Sequence, residues 1–175
     1  MGFDLYGMNP QADTPCPEWT KGEPFRKVKG KKDEDGMIEE YEIIPELKKE
    51  YHKYMKSKCE WQEENDGAYF RNNVWWWRPL WNYVCELCDD FLTDKDMEKG
   101  GWNDGHIISK TKARMIARRL RMALKEGHVE LTEANWKKTQ EGLDDDDWDK
   151  SYPFYADNVR AFERFCHNSG GFQIC

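Results

Sequence analysis

Apolar residues recur at helical spacing in several parts of the chain, separated by polar positions. This pattern predicts amphipathic helices over residues 45–64, 73–92, 109–126 and 157–168, each with one apolar stripe, and the last three are expected to share one core. Thr132 is the predicted cap of a shorter helix that runs through Trp136 to Gln140. The core positions expected from these stripes are Trp77, Trp81, Val84, Ile116, Leu120, Phe162 and Phe165.

Both ends of the chain alternate apolar and polar residues, as β-strands do. Residues 2–7 and 172–175 are therefore predicted strands that pair with each other. Together with the helices they predict an α+β fold that is mostly α: a compact helical domain over residues 1–175, with a small sheet formed by the N- and C-terminal strands. The remaining segments are residues 11–36 and 93–105 as loops, 37–44 as a short strand or extended segment, and 144–147 as an acidic linker.

Pro79 interrupts the predicted helix over residues 73–92. Proline removes a helical hydrogen bond, so the helix is either continuous and kinked at Pro79, or restarts there with Arg78 as its cap. The apolar spacing continues across Pro79 from Trp77 to Trp81 and Val84, which favours the continuous helix.

The segment over residues 67–81 is the most aromatic part of the sequence. Its consecutive residues Trp75, Trp76 and Trp77 cannot share one helical face, so at least one is expected to cover another element or a ligand. Rings beside arginine and asparagine suit a planar polar ligand stacked on an aromatic face. The candidate ligand-binding residues of this segment are Arg71, Asn72, Asn73, Trp75, Trp76 and Arg78. The alternative is a purely structural role, which fits Trp77 and Trp81 best.

Three stretches carry a resemblance to known proteins. They are Met-Gly-Phe-Asp-Leu-Tyr-Gly-Met-Asn-Pro at the start, Tyr-Phe-Arg-Asn-Asn-Val-Trp-Trp-Trp-Arg-Pro-Leu in the middle and Ser-Gly-Gly-Phe-Gln-Ile-Cys at the end. The chain resembles a family of small, functionally unassigned proteins encoded by phages and prophages. The resemblance implies an accessory protein that acts inside an infected bacterium, by blocking a host enzyme or capturing a nucleotide signal. It does not cover residues 11–66, which are expected to be a family-variable insertion.

A basic helix is the second candidate element. Ser109 is its predicted cap, and Arg114 and Arg118 lie on a stripe away from the core face. This stripe suggests a phosphate-facing surface, whereas the alternative is a solvated face or ion pairs with residues 144–147. The glycine-rich loop before the helix adds Trp102, Asn103 and His106 to the candidate ligand-binding residues.

Catalytic and metal patterns are weak. His106 could act as a general base near a phosphate, but a loop histidine is more commonly only a hydrogen-bonding residue. Cys85 and Cys88 form a CxxC that lacks a second pair of ligands, and the order of the CxxC and the HxE at His128 argues against a zinc deaminase. We therefore expect no catalytic residue, no metal and no cofactor.

Charge and hydropathy limit the partners. The net charge of −7 argues against general binding to nucleic acid or to anionic membranes. The chain opens with no signal peptide and has no apolar run of membrane-spanning length, so the expected location is the cytoplasm of a host bacterium.

The main functional expectation is a non-catalytic module that binds a phosphorylated, base-containing small molecule, a nucleotide-like signal, and so interferes with host defence. The alternative is a protein-interaction module or inhibitor that uses the same aromatic and arginine residues to bind a host protein. Pairing with a second copy in a homo-oligomer stays open as well. A phosphodiesterase-like enzyme that uses His106 is the weakest of these hypotheses.

Overall fold

The computed structural model describes residues 2–28, 32–33, 36–37, 40–144 and 147–175. Its helices and strands, in chain order, are β1 (Gly2–Gly7), β2 (Phe25–Val28), β3 (Lys32–Asp33), β4 (Gly36–Met37), β5 (Glu40–Ile43), α1 (Lys48–Glu64), β6 (Tyr69–Asn73), α2 (Val74–Leu87), α3 (Asp94–Lys99), β7 (His106–Ile108), α4 (Lys110–Lys125), α5 (His128–Glu141), α6 (Ala156–Asn168) and β8 (Phe172–Ile174). Short 3₁₀ helices cover Pro45–Leu47 and Trp148–Ser151. The fold is α+β and mostly α, as predicted.

The chain divides into two compact units, residues 14–64 and residues 1–13 with 65–175. The boundaries of the smaller unit fall inside the segment 11–66 that the sequence set apart. In this unit β2 pairs with β5 in antiparallel fashion, and Pro45 opens a 3₁₀ turn that continues into α1. Aromatic side chains of both parts meet, with the rings of Phe25 and Tyr51 5.3 Å apart. The helix predicted over residues 45–64 is therefore confirmed.

The larger unit is built on a four-stranded antiparallel sheet in the order β6-β1-β8-β7. The terminal strands β1 and β8 pair directly, with Leu5 opposite Ile174, which confirms the predicted pairing. Gly170 and Gly171 have φ values of 66° and 96°, a conformation that glycine adopts without strain, and they turn the chain from α6 into β8. One face of the sheet is covered by helices.

The core between sheet and helices contains all of the positions predicted from the sequence. Each of these side chains is buried: Trp77, Trp81, Val84, Ile116, Leu120, Phe162 and Phe165. Strand residues Phe3 and Leu5 and the helical residue Val159 join the same cluster. A single apolar core thus holds α2, α4 and α6 against the sheet.

Helix α2 is continuous through Pro79, as favoured from the sequence, but it ends at Leu87 rather than at residue 92. The chain leaves the helix at Cys88, and the N–H groups of Phe91 and Leu92 both donate to the Cys88 carbonyl, at 3.2 and 3.0 Å. The turn brings apolar side chains back to the core at near-helical spacing. For this reason the sequence pattern continued past the end of the helix.

Thr132 does not cap a helix, so that prediction was wrong. Helix α5 begins at His128, directly after Gly127, which has a φ of 75°. The Thr132 hydroxyl instead donates to the His128 carbonyl one turn earlier, at 2.8 Å. The earlier start buries Val129 in the core.

The two predicted loops contain elements that the sequence did not indicate, whereas the strand in segment 37–44 was one of its two predicted alternatives. Segment 93–105 contains α3, whose first turn is closed by a reciprocal capping box between Thr93 and Asp96. Segment 11–36 contains β2, and segment 37–44 contains β5, of the two alternatives a strand. Residues 29–31, 34–35 and 38–39 in these segments, and 145–146 in the acidic linker, lie outside the described residues.

Candidate functional site

The aromatic stretch folds as an edge strand followed at once by a helix. Asn73 ends β6 in an extended conformation and caps α2, with its side-chain oxygen accepting from the Trp76 N–H at 2.9 Å. Asn73 therefore has a structural role at this turn. Of the candidate residues around it, Arg71, Asn72 and Trp76 line one depression, and Arg78 lines another.

Trp77 and Trp81 form the buried part of the stretch. Their rings stack with centroids 5.4 Å apart, and their indole N–H groups donate to the carbonyls of Gly100 and Met97 at 2.8 and 2.9 Å. Both side chains are thus buried, with their N–H groups hydrogen-bonded to the backbone. The structural role considered for these two tryptophans is confirmed.

Arg78 lies at a cleft of about 550 Å³, which we call the Arg78 cleft. The guanidinium donates to the Tyr152 hydroxyl at 3.1 Å and lies 5.9 Å from the centre of the Tyr152 ring. These contacts hold the arginine fork over an aromatic surface. The side chains that line the cleft include Arg78, Asn82, Trp136, Gln140, Asp149 and Tyr152.

Two lining residues of the Arg78 cleft, Trp136 and Gln140, form hydrogen bonds to the same backbone carbonyl. The Trp136 indole N–H and the Gln140 amide both donate to the Tyr152 carbonyl oxygen, at 2.7 and 2.8 Å. The Trp75 ring lies 4.9 Å from that of Tyr152 and is stacked on Trp148 at 5.2 Å. The described lining of the Arg78 cleft thus combines the aromatic rings of Trp136 and Tyr152 with one cation, Arg78.

Trp76 belongs to a second depression, of about 740 Å³, which we call the β6 groove. Its ring is 42% exposed and meets the edge of Tyr155 at 5.3 Å. Asn72 is buried there, and its amide donates to Asn158 Oδ1 at 3.0 Å. The groove is lined by β6 residues 70–72, by Trp76 and by residues of α5 and α6.

The arginines of the β6 groove are both ion-paired. Arg71 lies 3.5 Å from Asp4 on the neighbouring strand, and Arg160 bonds to Glu130 and, at 2.8 Å, to Asp157. Burial, together with the hydrogen bond that its hydroxyl donates to Asp4, raises the pKa of Tyr69 to about 12. Although Arg71 and Arg78 are close in sequence, Arg71 lines the β6 groove and Arg78 lines the Arg78 cleft.

The candidate residues of the glycine-rich loop separate from each other. Trp102 is 58% exposed under the Lys99 ammonium, and the Asn103 amide donates to the Gly2 carbonyl at 2.7 Å. His106 lies in β7 with its Nε2 3.0 Å from Asp96 Oδ1. His106 thus has a carboxylate partner and is not among the described lining residues of the Arg78 cleft or the β6 groove.

Asp96 is the centre of a buried polar cluster. Lys112 and the hydroxyl and N–H of Thr93 donate to its carboxylate, the last two at 2.6 and 3.0 Å. Burial alone would raise the pKa of the Asp96 carboxyl, but the hydrogen bonds from Lys112, Thr93 and His106 hold it well below its usual range. This cluster ties α3 and β7 to α4.

The basic helix is only partly a free cationic face. Arg119 donates to the Leu87 carbonyl and to Asp90, and Arg121 donates to the buried carboxylate of Glu163. Arg114 and Arg118 are exposed and, in the part of the chain that the structure describes, line neither the Arg78 cleft nor the β6 groove. The structure thus does not bring the basic stripe to the aromatic stretch.

The six cysteines are free thiols, of which Cys88 and Cys166 are buried and Cys59 is exposed. Burial raises the pKa of Cys85 to about 11 and that of Cys88 to about 12, and it raises the pKa of Cys166 well above the usual value. These shifts make the thiols poor nucleophiles. Among the described residues, no group of His, Cys, Asp or Glu side chains has the arrangement of a metal site.

Sequence reasoning identified Arg78 but missed the residues that face it across the cleft. Trp136, Gln140 and Tyr152 are far from Arg78 along the chain and on either side of the acidic linker. The one local signal was Trp136 itself, a large aromatic residue in an otherwise polar helix. The protein is thus mostly helical α+β, and the Arg78 cleft and the β6 groove share no described lining residue.

No family model, curated protein or solved structure matches the chain. No helix in the described part of the chain is long and apolar enough to cross a bilayer.

Proposed function

We propose that this chain is a non-catalytic binding protein whose ligand is a nucleotide with a single phosphate, held in the Arg78 cleft. The observation that supports this proposal is the position of Arg78, which contacts Tyr152 and lines the same cleft as Trp136. The cleft volume lies within the range of small-molecule sites. A planar base and an anionic group are the two features that such a site complements.

The binding geometry follows from the groups that line the cleft. The base lies against Trp136 and Tyr152, and the Asn82 amide offers both a donor and an acceptor to its edge. Arg78 exchanges its hydrogen bond with Tyr152 for a bidentate contact to phosphate. Asp149 lies in the same cleft, so added negative charge on the ligand is repelled. A monophosphate is therefore preferred to a triphosphate.

The side chains of the Arg78 cleft suit binding of a ligand without its chemical conversion. The described lining residues of the Arg78 cleft include no histidine or cysteine. His106, the candidate general base, bonds to Asp96 in the cluster that joins α3, β7 and α4. Capture of a host nucleotide signal in the bacterial cytoplasm is the role that the resemblance to phage proteins adds to this proposal.

The test is a thermal-shift comparison of the four ribonucleoside monophosphates with the matching triphosphates. A ligand at one hundred times its dissociation constant adds about 2.7 kcal/mol to the free energy of unfolding, which raises the melting temperature of a chain of this size by roughly 5–10 °C. We expect a shift with at least one monophosphate and a smaller one with its triphosphate. The absence of a shift with all four monophosphates would contradict the proposal.

A protein partner is the second candidate function, and the β6 groove favours it. Exposed tryptophan, tyrosine and arginine side chains are typical of interface hot spots, and Trp76, Tyr155 and Arg71 meet there. A phosphate is a poorer fit to the β6 groove, because both of its described arginines, Arg71 and Arg160, have carboxylate partners.

A further inference from the structure

The backbone of Arg71 is open at the edge of the sheet. In β1, both the N–H and the C=O of Asp4 bond to Cys175, each at 2.8 Å. Arg71 lies opposite Asp4, so the Asp4–Arg71 pair is one of the non-hydrogen-bonded pairs of the antiparallel ladder. The N–H and C=O of Arg71 therefore point away from β1. Because β6 is an edge strand of the described sheet, these groups face no further strand.

The β6 groove lies along this open edge. Its walls come from β6, from the first turns of α2 and α6 and from one face of α5, and none of its described lining residues belongs to β1. A free backbone edge and a side-chain groove thus coincide. This combination is the arrangement that accepts an extended peptide as an added strand, with the backbone giving affinity and the groove giving specificity.

The groove side chains favour a basic residue in that peptide. Glu130 and Asp157 share the guanidinium of Arg160, so these three described residues together carry a net charge of −1. The other carboxylate of the groove, Glu133, is paired with Lys137 at 2.8 Å. The exposed face of Trp76 lies in the same groove and attracts a cation.

We propose that the β6 groove binds an extended segment of a partner protein, which pairs with the backbone of Arg71 and places a lysine or arginine side chain against Trp76, Glu130 and Asp157. This site is separate from the Arg78 cleft, because no described residue lines both. The inference rests on the second candidate function, a protein partner at the β6 groove, and stands or falls independently of the nucleotide proposal.

The probes are two eight-residue peptides, one alternating valine and lysine and the other alternating valine and glutamate. Binding to the wild-type chain is measured by titration calorimetry at low salt. We expect the lysine peptide to bind and the glutamate peptide to bind at least ten-fold more weakly. Equal binding of the two peptides, or no binding of the lysine peptide, would overturn the proposal.

The strand-like mode is tested on the peptide itself, which avoids any effect on folding. Only alternate amides of an added strand face β6. Two versions of the lysine peptide are N-methylated, one at the odd-numbered and one at the even-numbered amides. One version should lose binding, and the other should bind as tightly as the unmethylated peptide. If both methylated peptides bind as tightly as the unmethylated one, no strand is added at this edge and the inference is wrong.

Matched proline variants test which edge is used. Arg71→Pro removes an edge N–H on β6, and Ile107→Pro removes the equivalent N–H on β7, since Ile107 lies opposite Gln173, two residues before Cys175 in the same ladder. We expect Arg71→Pro and Trp76→Ala to weaken the lysine peptide at least ten-fold, and Ile107→Pro and Arg78→Ala to leave it unchanged. Equal losses at both edges, or a wild-type dimer that Arg71→Pro dissolves, would contradict a peptide partner.

Discussion

At the scale of single residues, Gly100 marks the closest approach of backbone to the buried tryptophans. A Cβ at this position would lie 2.0–2.3 Å from atoms of the Trp81 indole. The backbone of Gly100 has a φ of −62°, which alanine adopts freely, so the effect of a substitution is steric alone. We predict that Gly100→Ala lowers the free energy of unfolding by about 1–3 kcal/mol in urea titrations.

The neighbouring Gly101 is the matched control for this prediction. A Cβ there meets its nearest atom, the Glu98 carbonyl oxygen, at 3.4 Å. Gly101→Ala should therefore change the stability far less than Gly100→Ala. Equal losses for the two variants would show that the Trp81 ring is placed elsewhere.

Asp96 gives a prediction of pH dependence. Its pKa is depressed in the folded protein, so its stabilising contribution is complete above the unfolded value of about 3.9 and is lost as the pH falls below that value. Asp96→Asn should cost about 1.5–3 kcal/mol at pH 7, because Lys112 and His106 lose a charged partner. The difference between wild type and variant should shrink from pH 5 to pH 3 in urea titrations.

The exposed pair of Lys99 and Asp104 provides the control for Asp96. The carboxylate of Asp104 lies 2.6 Å from the Lys99 ammonium but in solvent, where ion pairs contribute little. Asp104→Asn should lower the stability less than Asp96→Asn at pH 7. A loss from Asp96→Asn that stays the same at every pH would mean that the effect is packing rather than charge.

Single-residue roles could be predicted only where one helix determines them. Trp77 follows the spacing of Trp81 and Val84, so its burial could be predicted from the sequence. The environments of Trp75 and Trp76 could not, because their ring partners Trp148 and Tyr155 come from a distant part of the chain. Local periodicity holds no information about those contacts.

At the scale of elements, Asn73 joins the edge strand to the helix, and these two elements carry the proposed sites. Asn73→Ala should cost about 1 kcal/mol, because the Trp76 N–H loses its acceptor at the helix start. Asn73→Asp should keep most of the stability, since a carboxylate can accept the same hydrogen bond and complements the helix dipole. The free energy of unfolding is the quantity to compare.

Glu86→Ala, at an exposed position late in the same helix, is the control for Asn73. It should change the stability by less than about 0.5 kcal/mol. A loss from Asn73→Ala that is no greater than this would contradict the capping role.

Elements with a clear apolar periodicity were predictable, and elements without one were not. Helices α4 and α6 and the terminal strands follow directly from their patterns. Strands β6 and β7 and helix α3 are short, and they are held by sheet pairing and by the Asp96 cluster rather than by local preference. Tertiary contacts decide the structure of such segments.

At the scale of the whole molecule, the larger unit is assembled from segments far apart in sequence. The N-terminal strand β1 lies between the strand of Arg71, β6, and the C-terminal strand β8. The Arg78 cleft combines α2 with α5 and the segment around Tyr152. The composition of the aromatic stretch predicts a binding site there, which stays a prediction. The division of this stretch into two surfaces, and the separate position of the basic helix, required the fold.

The most direct test of the central proposal compares three arginines within one binding assay. The dissociation constant of the best monophosphate is measured by calorimetry for Arg71→Ala, Arg78→Ala and Arg118→Ala, together with each melting temperature. A charge-assisted bond contributes about 1.5–3 kcal/mol, so Arg78→Ala should weaken binding roughly ten- to one-hundred-fold while the other two keep the wild-type affinity. If Arg78→Ala binds as wild type does, or if Arg118→Ala loses as much, the Arg78 cleft is not the nucleotide site.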